Sequence, residues 1–148
     1  MSSNSPNLAV ESIILAQGRA FTIVQLELES TTIRIWRRGG SKVNEKIAIL
    51  LREVRTGLER LYGDRLKGVY LYGSYARGEE DSESDIDLVV VLDQLDRYAA
   101  EVDRTGYLIS EVSLKHGISI SRVFVALQDW SNHEAPFLIN AREEAIPV

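Results

Sequence analysis

The sequence predicts an α+β fold, a mixed α/β sandwich in which a small central sheet carries helices on one face. Three observations point there. Val43, Ile47, Leu50, Leu51, Val54, Leu58 and Leu61 recur at spacings of three and four, which puts them on one face of a helix. Leu88-Val89-Val90-Val91-Leu92 is apolar on both faces, as a strand in the middle of a sheet must be. From residue 41 onward, helical and strand patterns follow one another in the order αββαβα, without an internal repeat.

Residues 1–7 are small and polar, and are expected to lack order. Between residues 21 and 36 the pattern is β-like. Phe21, Ile23, Ile33 and Ile35 alternate with polar neighbours, and Ser30-Thr31-Thr32 separates the two halves. A hairpin is expected, and Gly39-Gly40 then breaks the chain. Residues 1–40 are therefore read as an N-terminal extension and residues 41–148 as the main domain.

Ser41 suits the N-cap of the first helix, and Tyr62-Gly63 its end. Residues 66–72 and 86–92 read as strands. Residues 94–115 read as a second helix with Leu95, Tyr98, Val102, Ile109 and Val112 inward. His116-Gly117 ends it, His116 serving as a cation at the helix C-terminus. Residues 118–127 read as a third strand. Asp129 is expected to cap a last helical segment, whose second half opens at Pro136.

Composition narrows the function. The chain has 148 residues, 45% apolar and 26% charged, values ordinary for a globular protein. A net charge of -5 argues against broad attraction to nucleic acid. Arg34, Arg37, Arg38 and Lys42 are the nearest thing to a basic patch, and read as a solvated turn. The absence of cysteine excludes disulfides and thiolate metal sites. The N-terminus lacks the basic start of a secretory signal. No apolar stretch approaches the ~20 residues of a membrane span. The expected setting is the cytoplasm.

The chemistry concentrates in one segment. Gly73-Ser74-Tyr75-Ala76-Arg77-Gly78 ends one apolar run, and Asp85-Ile86-Asp87-Leu88 opens the next. Side chains on a strand alternate, so Asp85 and Asp87 share a face, about 7 Å apart. Aspartate has poor β-propensity, and two like charges this close repel unless a cation lies between them. Mg²⁺ prefers such oxygen ligands and commonly adds substrate phosphates. Gly73 lets backbone N–H groups approach an anion, and Ser74 adds a hydroxyl donor. Arg77 offers a charged fork either to phosphate or to a nearby carboxylate. Glu79, Glu80, Asp81 and Glu83 read as a solvated acidic loop, His133 as a surface residue, and Trp36 and Trp130 as packing anchors. Tyr70 and Tyr72 share a face, either packing in the core or bordering the pocket of this site.

Gly73-Ser74, ten residues, then Asp85-Ile86-Asp87 resembles the signature of the polymerase-beta-like nucleotidyltransferase superfamily. The longer string LYGSYARGEEDSESDIDLVVVL resembles its minimal nucleotidyltransferases, the MNT proteins, over roughly residues 43–146. The resemblance implies transfer of AMP from ATP with two Mg²⁺ ions. Gly73 and Ser74, joined by Arg77, would bind the triphosphate. Asp85 and Asp87 would be the catalytic metal ligands. It also implies a HEPN-family toxin as partner, a toxin tyrosine as acceptor, and an antitoxin role. Two alternatives stand beside this: transfer to a small molecule of the aminoglycoside kind, and a decayed site on a partner-binding module. One departure is visible. Many members carry a third carboxylate on a neighbouring strand, whereas residues 118–125 contain no acid.

Overall fold

The structure, a computed structural model, describes residues 10–16, 19–28, 31–38, 45–132 and 135–148. The chain divides into two compact units, residues 1–44 and 45–148.

In the first unit, β1 (Val10–Ala16), β2 (Arg19–Leu28) and β3 (Thr31–Arg38) form an antiparallel sheet in the order β1-β2-β3. The hairpin expected over residues 21–36 is the β2–β3 pair, with Ile23 opposite Trp36. Thr31 and Thr32 already pair with Leu28 and Glu27, so the connection is shorter than the polar triplet suggests. β1 is an additional strand. Glu11 and Ser12 break its apolar alternation, which hides it from a periodicity reading. The expectations for residues 1–7, Gly39-Gly40, Ser41, Lys42 and His133 lie outside the described residues. Arg34, Arg37 and Arg38 lie in β3 rather than in a turn; their side chains and that of Trp36 are outside the described residues.

The second unit holds α1 (Glu45–Tyr62), a 3-10 turn (Gly63–Arg65), β4 (Leu66–Tyr72), α2 (Ser74–Arg77), β5 (Ile86–Leu92), α3 (Tyr98–His116), β6 (Ile120–Ala126), α4 (Leu127–Asn132), α5 (Pro136–Glu144) and β7 (Ile146–Pro147). The sheet order is β6-β5-β4-β7. β4 runs antiparallel to β5 and β7, while β6 runs parallel to β5. Both sequence-predicted inner strands, residues 66–72 and 86–92, fall as expected. β7 was not anticipated, because two residues carry no periodicity.

β5 is the centre of the core. Six of its seven residues are buried, all but Asp87. Ile86, Leu88, Val90 and Leu92 point to one face. There Arg122, paired with Leu88, donates to the Thr105 hydroxyl and the Val102 carbonyl at 3.0 and 2.9 Å. That ties β6 to α3. On the same face Tyr62 and Tyr98 meet Phe124 edge-on. Val89 and Val91 point to the other face, where they pack with Val125, Leu138 and Ala141. Helices therefore cover both faces of the sheet. This corrects the one-face expectation: the short α5 has only Leu138 and Ala141 buried, too weak a stripe to signal a second layer.

Several inward assignments also change. In α1, Leu61 is 40% exposed and Tyr62 is buried in its place. Gly63, at φ +52, ends the helix there. α3 starts at Tyr98 rather than 94, and Tyr98 is 46% exposed. Its buried face instead includes Glu101 and Thr105. Glu101 accepts from the Tyr62 hydroxyl at 2.9 Å, from Arg65 at 3.2 Å and from Arg104 at 3.1 Å. Burial alone would raise its carboxyl. The Tyr62 hydrogen bond and the two guanidinium groups outweigh it and hold the carboxyl below the usual range. His116 pairs with Glu53 of α1 at 3.2 Å, beside Lys115 at 2.7 Å. It ties two helices together rather than simply complementing a helix end. β6 spans 120–126, not 118–127. Asp129 lies inside the first turn of α4, where an acid suits the dipole, rather than capping it. Pro136 opens α5 as expected. Among the described residues, no helix is long and apolar enough to cross a membrane.

A depressed carboxylate stabilises the fold above its unfolded pKa, and that stability is lost as pH falls through the folded value. For Glu101 the window opens near 4.5, the unperturbed value, and extends downward. The urea midpoint of the wild type should therefore fall as pH drops below that point. Glu101→Gln should lower the midpoint at pH 7 and flatten this acid dependence.

Candidate active site

The β4–β5 pairing builds the site. Tyr72, the last residue of β4, lies directly opposite Asp87. The chain then turns at Gly73, with φ 75 and ψ -152, a conformation essentially confined to glycine. A Cβ on Gly73 would lie 2.7 Å from Asp87 Oδ2. The glycine therefore does two things. It lets the backbone reverse into α2, and it leaves room for a carboxylate against the turn. Arg77 N donates to Gly73 O at 3.1 Å, and Glu79 N to Ser74 O at 3.0 Å. Gly78 closes α2 in the left-handed region. Ser74 is half-buried as its first residue, where backbone N–H groups have no partner within the helix.

The acidic loop that follows is ordered by its own side chains. Asp81 Oδ1 accepts from Glu83 N at 2.9 Å and from the Ser84 hydroxyl at 3.1 Å. Ile86 N then donates to Ser119 O at 2.9 Å, which docks the start of β5 onto β6. Asp85, one residue before β5, is exposed; Asp87, inside it, is half-buried. Burial pushes the Asp87 carboxyl above its usual range. A hydrogen bond from the Ser121 hydroxyl opposes the rise, and the charge of Asp85 adds to it. The two carboxylates thus feel each other, and a cation between them would relieve that repulsion. Burial, and secondarily Asp87, likewise raises the Tyr72 phenol.

The structure brings Gly73 and Asp87 into contact, with Ser74 next to Gly73 and Asp85 within electrostatic reach of Asp87. Arg77 is engaged with carboxylates. Its guanidinium meets Glu79 at 2.7 Å and Glu144 at 2.9 Å, pinning α2 to the end of α5. Tyr70 and Tyr72 share a face. Tyr70 stacks on Trp130 at 4.8 Å, and Tyr72 meets Phe137 edge-on at 5.7 Å. An open groove of about 280 Å³ lies along β6, lined by Leu95, Val123, Asp129 and Phe137 among others. Ser121, opposite Asp87 in the parallel register, escaped sequence reasoning. Its only signal was the alternation of serines in residues 118–121, and naming its partner needs the strand register.

Chemically, two carboxylates beside a glycine-opened turn offer the oxygen donors that a hard cation such as Mg²⁺ prefers. Among the described residues, no three carboxylate or imidazole groups gather at one point.

The nucleotidyltransferase domain family matches residues 51–139, more than half of the chain. The chain belongs to that family. This nucleotidyltransferase is 33% identical over 97 residues to a Methanocaldococcus jannaschii protein that carries the name of a protein adenylyltransferase, covering 62% of this chain and 89% of the relative. A second such protein from the same organism is 32% identical over 78 residues, covering 53% and 78%. Among solved structures, a minimal nucleotidyltransferase overlaps 72% of this chain and 99% of its own, at 22% identity and a TM-score of 0.49. A toxin–antitoxin complex with AMP-PNP overlaps 64% and 68%, at 22% identity and a TM-score of 0.42. The matched segment of the nucleotidyltransferase contains Gly73, Ser74, Asp85 and Asp87.

Gly73→Ala is expected to be costly in two ways at once. The backbone strain should lower the unfolding free energy by about 1–3 kcal/mol, read by urea denaturation. The new methyl should also displace the Asp87 carboxylate, so transfer should fall steeply even where the variant is fully folded.

Proposed function

We propose that this nucleotidyltransferase moves AMP from ATP onto a protein hydroxyl, a tyrosine of a HEPN-type toxin, and acts as that toxin's antitoxin. The observation that carries the transfer chemistry is the contact between Gly73 and the Asp87 carboxylate, with Asp85 beside it. It joins a phosphate-holding turn to a metal-holding pair. The protein acceptor is supported by the two relatives named as protein adenylyltransferases. The toxin partner rests on the resemblance of the string around Gly73-Ser74 and Asp85-Ile86-Asp87 to MNT proteins.

In this reading Asp85 and Asp87 hold the divalent ions. Two Mg²⁺ ions, when bound, neutralise the triphosphate and polarise the α-phosphorus toward attack. Backbone N–H groups of the Gly73–Ser74 turn and the Ser74 hydroxyl hold the β- and γ-phosphates. Arg77 exchanges Glu79 or Glu144 for a phosphate oxygen when nucleotide binds. The protein's contribution is mainly position and charge stabilisation. Attack of the acceptor oxygen forms a P–O bond to the α-phosphorus as the bond to pyrophosphate breaks.

The reading makes a two-sided prediction for Asp87→Asn. Burial and Asp85 penalise the charged form in the folded state, so the folded pKa lies above the unfolded one. Above that value the charge opposes folding. Removing it should therefore raise the thermal midpoint at pH 7 while abolishing transfer. The check is incubation with labelled ATP, Mg²⁺ and a HEPN-type toxin, followed by mass spectrometry for one added AMP. Asp85→Ala should abolish transfer too. A retained rate in both variants would remove the aspartates from the mechanism. Toxin neutralisation that needs neither nucleotide nor aspartate would favour the binding-module reading.

A further inference from the structure

Asp87 is held from both neighbouring strands. On the β4 side, Gly73 comes so close that a Cβ there would lie 2.7 Å from Asp87 Oδ2. On the β6 side, Ser121 is the register partner of Asp87, near enough for its hydroxyl to oppose the rise of the carboxyl that burial causes. Asp85 has no such frame, since it precedes β5 and is exposed. Neighbouring strands lie about 4.8 Å apart, and paired residues present their side chains on the same face. Ser121 therefore stands one strand spacing from Asp87, on the site face of the sheet. It is exposed, so it fills no core volume. Packing on that face falls to Val125, Val89 and Val91, further along the strands.

We propose that Ser121 is a positioning residue for the metal-binding carboxylate. Its hydroxyl fixes the Asp87 rotamer so that Oδ2 stays directed at the Gly73–Ser74 turn, where cation and triphosphate would meet. The terminal torsion of an aspartate is intrinsically broad, so a carboxylate without a second partner samples orientations that turn its oxygens away. The inference rests on the nucleotidyl-transfer reading of the same site.

The test is direct binding of Mn²⁺ to the full chain, by electron paramagnetic resonance of the free ion. It is run in the presence of α,β-methylene-ATP, from which AMP cannot be transferred. Circular dichroism confirms that each variant is folded. Ser121→Ala should weaken Mn²⁺ binding by about tenfold or more, the usual effect of losing a hydrogen bond to a ligating group. Ser121→Thr, which keeps the hydroxyl, should restore nearly all of it. Equal affinity in the wild type and Ser121→Ala would overturn the proposal, as would a threonine variant as weak as the alanine one. A wild type that binds no Mn²⁺ with the nucleotide analogue would instead overturn the transfer reading beneath it.

Discussion

The contact between a glycine backbone and a carboxylate governs this structure. Gly73 must end β4 because only a residue without Cβ can stand against Asp87 Oδ2 in that conformation. Asp87 must lie there because β4 and β5 pair antiparallel with Tyr72 opposite it. The register in turn follows from β5, whose other six residues are buried. A slip of one residue would turn Asp87 onto the opposite face of the sheet, away from the Gly73 turn. The apolar packing of β5 thus sets the position of the one residue in the strand that is not part of the core.

That arrangement has an energetic cost. A half-buried carboxylate beside a second acid destabilises the folded chain, and the hydrogen bond from Ser121 offsets only part of it. The rest of the unit carries polar groups differently. Glu101 is buried with a hydroxyl and two guanidinium groups around it, and Arg122 is satisfied by α3. Each of these stitches helix to helix or helix to strand. Asp87 binds nothing together in that sense. A charge kept where it weakens the fold, at the mouth of a glycine-opened turn, is the pattern expected of a functional group.

Much of this was legible in the sequence, for identifiable reasons. The valine run of β5 leaves no alternative to a central strand. The order of Gly73-Ser74 and Asp85-Ile86-Asp87 marks the site because neither pair has a structural reason to flank a buried strand. Other features depended on distant partners. Glu101 and Thr105 face inward against their polarity because Tyr62, Arg65 and Arg122 reach them from other elements, joined by Arg104 from the same helix. Tyr62 replaces Leu61 because its hydroxyl finds Glu101. Ser121 acquires a role only through the parallel register of β5 and β6. The second layer, formed by α5, was hidden because two small contacts, Leu138 and Ala141, suffice to cover Val89 and Val91.

The most direct test of the site is its location. Mn²⁺ and α,β-methylene-ATP, titrated into isotopically labelled protein, would broaden amide resonances near the bound ion. The Gly73–Asp87 geometry predicts early loss at Gly73, Ser74, Ile86 and Asp87, with Ser121 next and the far ends of β5 and β6 spared. Broadening centred on Glu79, Glu80, Asp81 and Glu83, with the Gly73–Ser74 turn unaffected, would contradict it.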